Sequence, residues 1–131
     1  MEHRNLVIIE QFFEAVKTRD MAKLHVLVSQ DVTWSFPGNH PFAGVHLGIE
    51  GILKFFDAMI LLNFSYETLV VGVNDRYVVQ AYHVSRSETG ITDFEGEWCI
   101  LWEFADGRIY SGKHLVAGLQ EENNFFNKIS Q

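Results

Sequence analysis

Cysteine, basic residues and long apolar runs are scarce in this chain, and each shortage excludes a class of protein. The single cysteine, Cys99, cannot form an internal disulfide, which favours a reducing compartment. Only 10 lysines and arginines stand against 17 aspartates and glutamates, and a formal charge of −7 repels phosphate backbones, so we expect no nucleic-acid partner. The apolar runs 6–9 and 58–62 are too short for a signal peptide or a membrane span. We therefore expect a cytoplasmic protein without a membrane partner.

Aromatic residues, in contrast, are abundant. They make up 14% of the 131 residues, a share that favours a cavity or an interface lined with rings. The length is that of one domain, 1–131, and it is sufficient to bury a sizeable core.

The hydrophobic pattern changes once along the chain, from helical spacing to strand alternation. Helical spacing predicts three N-terminal helices, at residues 3–18, 20–28 and 48–62, with a short edge strand at 34–36 between the last two. After Asn63, four strands separated by short turns are predicted at 64–73, 77–87, 94–104 and 109–119, followed by a final helical turn at 121–126. This order predicts an α+β fold in which a strongly curved antiparallel sheet wraps around the N-terminal helices.

Six short motifs in a fixed order carry a resemblance to a known family. They are Thr18-Arg-Asp20, Trp34-Ser-Phe-Pro-Gly38, Phe42-Ala-Gly44, Gly48-Ile-Glu-Gly-Ile52, Thr89-Gly90 and Phe104-Ala-Asp-Gly-Arg-Ile109. Together they resemble the nuclear-transport-factor-2-like superfamily, specifically its SnoaL-like branch. The resemblance implies a cone-shaped, cystatin-like fold with an internal pocket, and it points to a homodimer. The superfamily includes isomerases, hydrolases, cyclases and non-catalytic binding domains, so the fold alone does not settle the function.

The catalytic residues of the best-known members are missing from the corresponding positions. Ketosteroid isomerases need a Tyr and two Asp residues where this chain has Phe12, Phe36 and Ile100, none of which transfers a proton. The Arg-x-Asp pair of limonene-epoxide-hydrolase-like members does not occur. SnoaL-like cyclases carry an acid on the last strand, near the position of Ala117 here. The resemblance therefore implies none of these three reactions.

Strand parity identifies the remaining polar candidates. Since the position of Ile100 points into the pocket in the isomerases, alternation predicts that His114 and Tyr82 on the neighbouring strands also face inward. His114 is a candidate general acid or base, or a neutral core histidine with a satisfied ring N–H. Tyr82 would orient a ligand or make a structural hydrogen bond. The predicted ligand-binding walls are Trp34, Phe55, Phe56, Trp98, Ile100 and Trp102, with His40 near the mouth.

Two functions remain open at this point. The first is a small-molecule-binding protein with an apolar, aromatic pocket for a hydrophobic ligand. The alternative is an isomerase-, cyclase- or hydrolase-type enzyme that uses His114 as general acid or base. No motif with metal-ligand spacing occurs, so we expect no metal and no cofactor. The outward-facing Glu97, Cys99, Leu101 and Glu103 predict a homodimer through the outer face of the sheet.

Overall fold

Helices and strands follow one another in residues 2–130, the part of the chain that the computed structural model describes. Met1 and Gln131, the ends of the predicted 1–131 domain, lie outside it. In chain order the elements are α1 Arg4–Thr18, α2 Met21–Leu27, β1 Val28–Phe36, β2 Gly44–Leu47, α3 Gly48–Leu62, β3 Ser65–Val73, β4 Tyr77–Glu88, β5 Ile91–Ala105, β6 Arg108–Val116 and α4 Leu119–Ile129.

The ends of the first three helices follow from local capping. The imidazole of His3 accepts the N–H of Asn5 at the start of α1, and the helix ends at Arg19, which adopts a left-handed φ of 56°. The carboxylate of Asp20 accepts the N–H of Lys23 and so begins α2. Asn63, with φ of 57°, ends α3. The three predicted N-terminal helices are confirmed to within one or two residues.

Six strands form one curved sheet in the order β2-β1-β6-β5-β4-β3. The strands from β3 to β6 are an antiparallel meander, as predicted. The β4–β5 hairpin turns at Thr89-Gly90 and the β5–β6 hairpin at Asp106-Gly107, and all four residues have positive φ. Such pairs match the twist of the flanking strands in two-residue turns. The predicted α+β class with N-terminal helices and a curved sheet is confirmed.

The predicted edge position of residues 34–36 is wrong. These residues belong to β1, which lies inside the sheet between β2 and β6. β1 pairs in parallel with β6, with Trp34 opposite Gly112, so the sheet is not wholly antiparallel. The short strand β2 turns back from the Pro-containing loop, pairs antiparallel with β1 and takes the edge.

The C-terminal segment is a longer helix than the predicted turn at 121–126. α4 spans 11 residues, and its Phe125 and Phe126 are buried. Their rings contact Phe64 and Phe94, so α4 covers the core beside the sheet. Among residues 2–130, no helix has the length and apolar character needed to cross a bilayer.

Candidate functional site

The pairing of the central strands brings His114 onto the inner face of the sheet. Ile100 of β5 pairs with Gln80 of β4 on one side and with His114 of β6 on the other. Tyr82 is opposite Trp98 in the same alternation. These pairs put His114 and Tyr82 on the same side of the sheet as Ile100, the concave side that faces the helices.

A cavity of about 560 Å³ lies between this concave side and the helices α1 and α3. Its volume is in the usual range for small-molecule sites. Phe56, Met59 and Ile100 are buried and form its inner part, whereas Ile60 is 53% exposed and lies at the rim. The apolar walls consist of Phe13, Val16, Phe56, Met59, Ile60, Phe64 and Ile100.

Five polar side chains complete the lining. They are Lys17, Asn63, Tyr66, Tyr82 and His114. His114 is only 5% exposed, so it lies at the inner end, whereas Lys17 and Asn63 are exposed at the rim. No aspartate or glutamate lines the cavity. Within residues 2–130, no group of three or more His, Cys, Asp or Glu side chains is close enough to hold a metal ion.

The hydrogen bond between Trp34 and His114 fixes the chemistry of the inner end. The indole N–H of Trp34 donates to Nδ1 of His114 over 3.0 Å, in buried surroundings. Because an indole nitrogen only donates, Nδ1 must be unprotonated and the neutral ring carries its proton on Nε2. The bond from Trp34 is the one side-chain hydrogen bond of His114 in residues 2–130, and His114 lines the cavity. His114 therefore presents an N–H donor to the cavity.

Burial disfavours the charged forms of His114, Tyr66 and Tyr82. It lowers the pKa of His114 from 6.5 to about 3, because the charged imidazolium is poorly solvated there. Burial also raises the pKa of Tyr82, and it raises that of Tyr66 to about 12. At neutral pH the site therefore offers two phenol hydroxyls and one neutral imidazole N–H. These groups favour hydrogen-bond donation over proton abstraction, so the predicted role of His114 as a general base gains no support.

The residues predicted to form the site divide into two groups. Phe56, Tyr82, Ile100 and His114 lie on the cavity wall. The others are core residues that do not line it: Trp34, Phe55, Trp98 and Trp102. These rings pack behind the cavity wall. Those of Trp34, Phe55 and Trp98 meet the His114 ring in T-shaped geometry, with ring centroids 5.6, 5.7 and 5.5 Å away. Trp102 packs at 4.9 Å against Trp34.

His40, predicted near the pocket mouth, lies elsewhere. Its side chain is fully buried under α4, where it stacks on Phe126 at a centroid distance of 4.6 Å. Nδ1 accepts the N–H of Phe42, and Nε2 is 3.2 Å from the carbonyl oxygen of Pro37. Burial lowers the pKa of His40. The sequence predicted only a short turn where α4 covers this loop, so the burial of His40 was not foreseen.

Glu122 is the unexpected titratable group of this region. Its side chain is fully buried, and neither carboxyl oxygen has a hydrogen-bond partner in residues 2–130. Nε2 of His40 is 3.5 Å from Oε2 of Glu122. Burial raises the pKa of Glu122 to about 8.

Sequence reasoning missed three polar members of the wall, Lys17, Asn63 and Tyr66. Helical spacing offered a signal for the first, because Lys17 follows Phe13 by four residues and shares its side of α1. Tyr66 pairs with the buried Val84, which lies on the same side of β4 as Tyr82, so the same alternation carried one strand further would have found it.

Comparisons with known proteins agree with this fold. A family model described as the SnoaL-like domain matches residues 9–112. No curated protein matches the chain. Among solved structures, Bal32a from a soil-derived mobile gene cassette is 24% identical, with 94% of this chain and 96% of that chain covered and a TM-score of 0.75.

Two further solved structures are similar to this chain in fold. An NTF2-like protein from Burkholderia xenovorans LB400 is 21% identical over 95% of this chain and 96% of that one, with a TM-score of 0.79. TerC, co-crystallized with polyporic acid, is 16% identical over 94% and 98%, with a TM-score of 0.71. With the family model covering most of the sequence, the chain belongs to the SnoaL-like domain family.

Proposed function

We propose that this protein binds a hydrophobic small molecule in the cavity between its helices and its sheet. The observation that carries the proposal is the unpartnered Nε2–H of His114 at the inner end of an apolar cavity of about 560 Å³. A few directed polar groups in a mostly apolar cavity are typical of ligand sites. The co-crystallization of the fold relative TerC with polyporic acid is consistent with this class of ligand.

The enzymatic alternative takes a different form from the one expected from the sequence. A histidine whose pKa is about 3 is too weak a base to abstract a proton at neutral pH. A neutral N–H donor in a dry site can instead polarise a carbonyl group or stabilise an oxyanion. If the protein is an isomerase, cyclase or hydrolase, we infer that His114 acts as this donor and that Tyr82 orients the substrate.

Native mass spectrometry of the purified protein tests the proposal directly. We expect an apolar molecule to co-purify with the chain and to be released when the protein unfolds. With that molecule as ligand, His114→Ala should weaken binding by about 10- to 100-fold, since a buried hydrogen bond is removed. His114→Gln, whose amide N–H reaches a similar position to Nε2, should retain more of the affinity.

The same titrations contain the result that would contradict this role of His114. A folded His114→Ala protein that binds with unchanged affinity would mean that Nε2–H does not contact the ligand. The melting temperature of each variant must be measured alongside, because removal of His114 also leaves the indole N–H of Trp34 without its acceptor.

We also propose that two copies of the chain pair through the outer face of the sheet. Four outward-facing residues, one on each strand from β3 to β6, are paired directly with one another and form an apolar row. They are Val70, Ala81, Cys99 and Leu115. Val70 and Leu115 are 61% and 51% exposed. The next pairs toward the β4–β5 hairpin are charged, with His83 bonded to Glu95 and Glu97. An apolar centre with a charged border is typical of a dimer interface.

Light scattering on the eluting protein tests this pairing. At micromolar concentration we expect twice the chain mass of 15.1 kDa. Leu115→Glu, which puts a charge into the apolar row, should shift the mass to that of the monomer. Val45→Glu is the matched control, because Val45 is also exposed (62%) but belongs to the opposite edge strand, β2. A monomer mass for the wild-type protein would reject the dimer.

A further inference from the structure

None of the five polar side chains of the cavity is acidic. Lys17 is cationic, the neutral His114 donates through Nε2, and the hydroxyls of Tyr66 and Tyr82 and the amide of Asn63 both donate and accept hydrogen bonds. The chain has 17 aspartates and glutamates and a charge of −7, yet none of these acids lines the cavity. In so acidic a protein, a wall without carboxylates is a place where an anion meets little local repulsion.

A molecule bound at the inner end of the cavity needs a hydrogen-bond acceptor. His114 offers Nε2–H, and its partner Trp34 prevents the ring from turning that nitrogen into an acceptor. A pure hydrocarbon would exclude water from this N–H and give no hydrogen bond in return. A carbonyl, enolate or phenolate oxygen satisfies it. Phe56, Met59 and Ile100 offer no hydrogen-bonding side-chain group, so the part of the ligand that packs against them is apolar.

The rim supplies the positive charge. Lys17 is exposed in the last turn of α1, and it forms no salt bridge within residues 2–130. Its neighbours on the wall, Phe13 and Val16, are apolar, so its methylene chain can lie along them while the ammonium group stays in water. A negative group at the outer end of a bound molecule is within the field of this ammonium.

We propose that the ligand class of this cavity is an apolar, ring-bearing oxyanion, with Lys17 selecting for the charge. This inference rests on the proposed ligand-binding function and adds the charge and the acceptor to it. The occupant has an apolar body between α1, α3 and the sheet, an oxygen acceptor toward His114, and an anionic oxygen toward Lys17.

Two fluorescent probes with one ring skeleton test the charge. 8-Anilinonaphthalene-1-sulfonate is anionic, and N-phenyl-1-naphthylamine lacks the sulfonate. We expect the wild-type protein to bind the sulfonate at least about threefold more tightly in low salt, and Lys17→Gln to weaken sulfonate binding about three- to fivefold, the size of a solvent-exposed ion pair. The neutral probe should bind both proteins equally. Lys23→Gln, an exposed lysine on α2 that does not line the cavity, should change neither titration.

The outcomes separate this inference from the proposed function. Amide chemical shifts report where each probe binds, and the cavity residues should respond to both. If the neutral probe binds there and the sulfonate is not preferred, or if Lys17→Gln weakens both probes equally, the oxyanion class is overturned while ligand binding stands. If neither probe perturbs the cavity residues, the ligand-binding function falls and this inference falls with it.

Discussion

Replacing Glu122 with glutamine is expected to leave stability nearly unchanged at pH 4 and to raise it markedly at pH 8. The carboxyl group is fully buried without a hydrogen-bond partner in residues 2–130, and burial raises its pKa from 4.5 to about 8. Above pH 4.5 the unfolded chain releases the proton while the folded chain holds it. The stability that Glu122 contributes therefore falls as pH rises, until the folded carboxyl also ionises near pH 8.

The size of this effect follows from linkage. One proton held by the folded state alone changes the free energy of unfolding by about 1.4 kcal/mol per pH unit. Between about pH 5 and pH 8 the variant should therefore gain on the order of 3 kcal/mol over the wild-type protein. Burial also lowers the pKa of the neighbouring His40, which disfavours its charged form. Urea unfolding of both proteins at several pH values measures the difference directly.

A matched variant separates the effect of burying the carboxyl group from the effect of removing a charge. Glu121→Gln changes the preceding residue of α4, which is exposed, and measures what the loss of a carboxylate from this helix does without burial. Titrations of all other groups cancel when each variant is compared with the wild-type protein. A Glu122→Gln difference that stays constant from pH 4 to pH 8 would mean that the carboxyl ionises normally in the folded state.

The features that sequence alone predicted are those with local or alternating signals. The bounds of α3 follow from a 15-residue apolar periodicity ending at Asn63. The inward direction of His114 follows from period-2 alternation, once Ile100 fixes the register. For α3, neighbouring residues on the same helix carry the information, whereas for His114 the inward position of Ile100, taken from the family resemblance, is also needed.

The features that it could not predict depend on contacts between distant segments. β2 is four residues long and follows a loop with two prolines, so only its pairing with β1 makes it a strand. The hydrogen bond from Trp34 to His114 spans 80 positions and requires the parallel pairing of β1 with β6.

The burial of Glu122 has the same origin. Glutamate is usually exposed, and only the packing of α4 on the loop after β1 buries this one. Hydrogen bonds from Asn39 N–H to the Asn123 side chain and from the Asn127 side chain to the Asn39 carbonyl hold the helix there. The role of His114 as a neutral donor likewise comes from burial and from a partner on another strand.

Substituting alanine for Gly112 is expected to destabilise the protein and to disturb the cavity. Gly112 is opposite Trp34 in the β1–β6 pair, and a Cβ atom there would overlap the six-membered ring of the indole. The indole cannot easily yield, because it packs edge-on against Phe56 and Trp102, each at 4.9 Å, and donates to His114. Overpacking of this kind typically costs about 1–3 kcal/mol. For a domain of this size, we expect the melting temperature to fall by about 10 °C at the upper end of that range.

Gly96→Ala provides the control for the glycine substitution itself. Gly96 is also a strand glycine, but a Cβ there would meet only the ring of Phe94, at an ordinary 3.4 Å. That variant should be neutral or slightly stabilised, since alanine restricts the unfolded chain more than glycine does. In a Trp34→Phe background, the smaller ring leaves room for the methyl group, so Gly112→Ala should cost clearly less than in the wild-type protein. Equal costs in the two backgrounds would mean that the clash is not with Trp34, and that the position of His114 does not depend on this glycine.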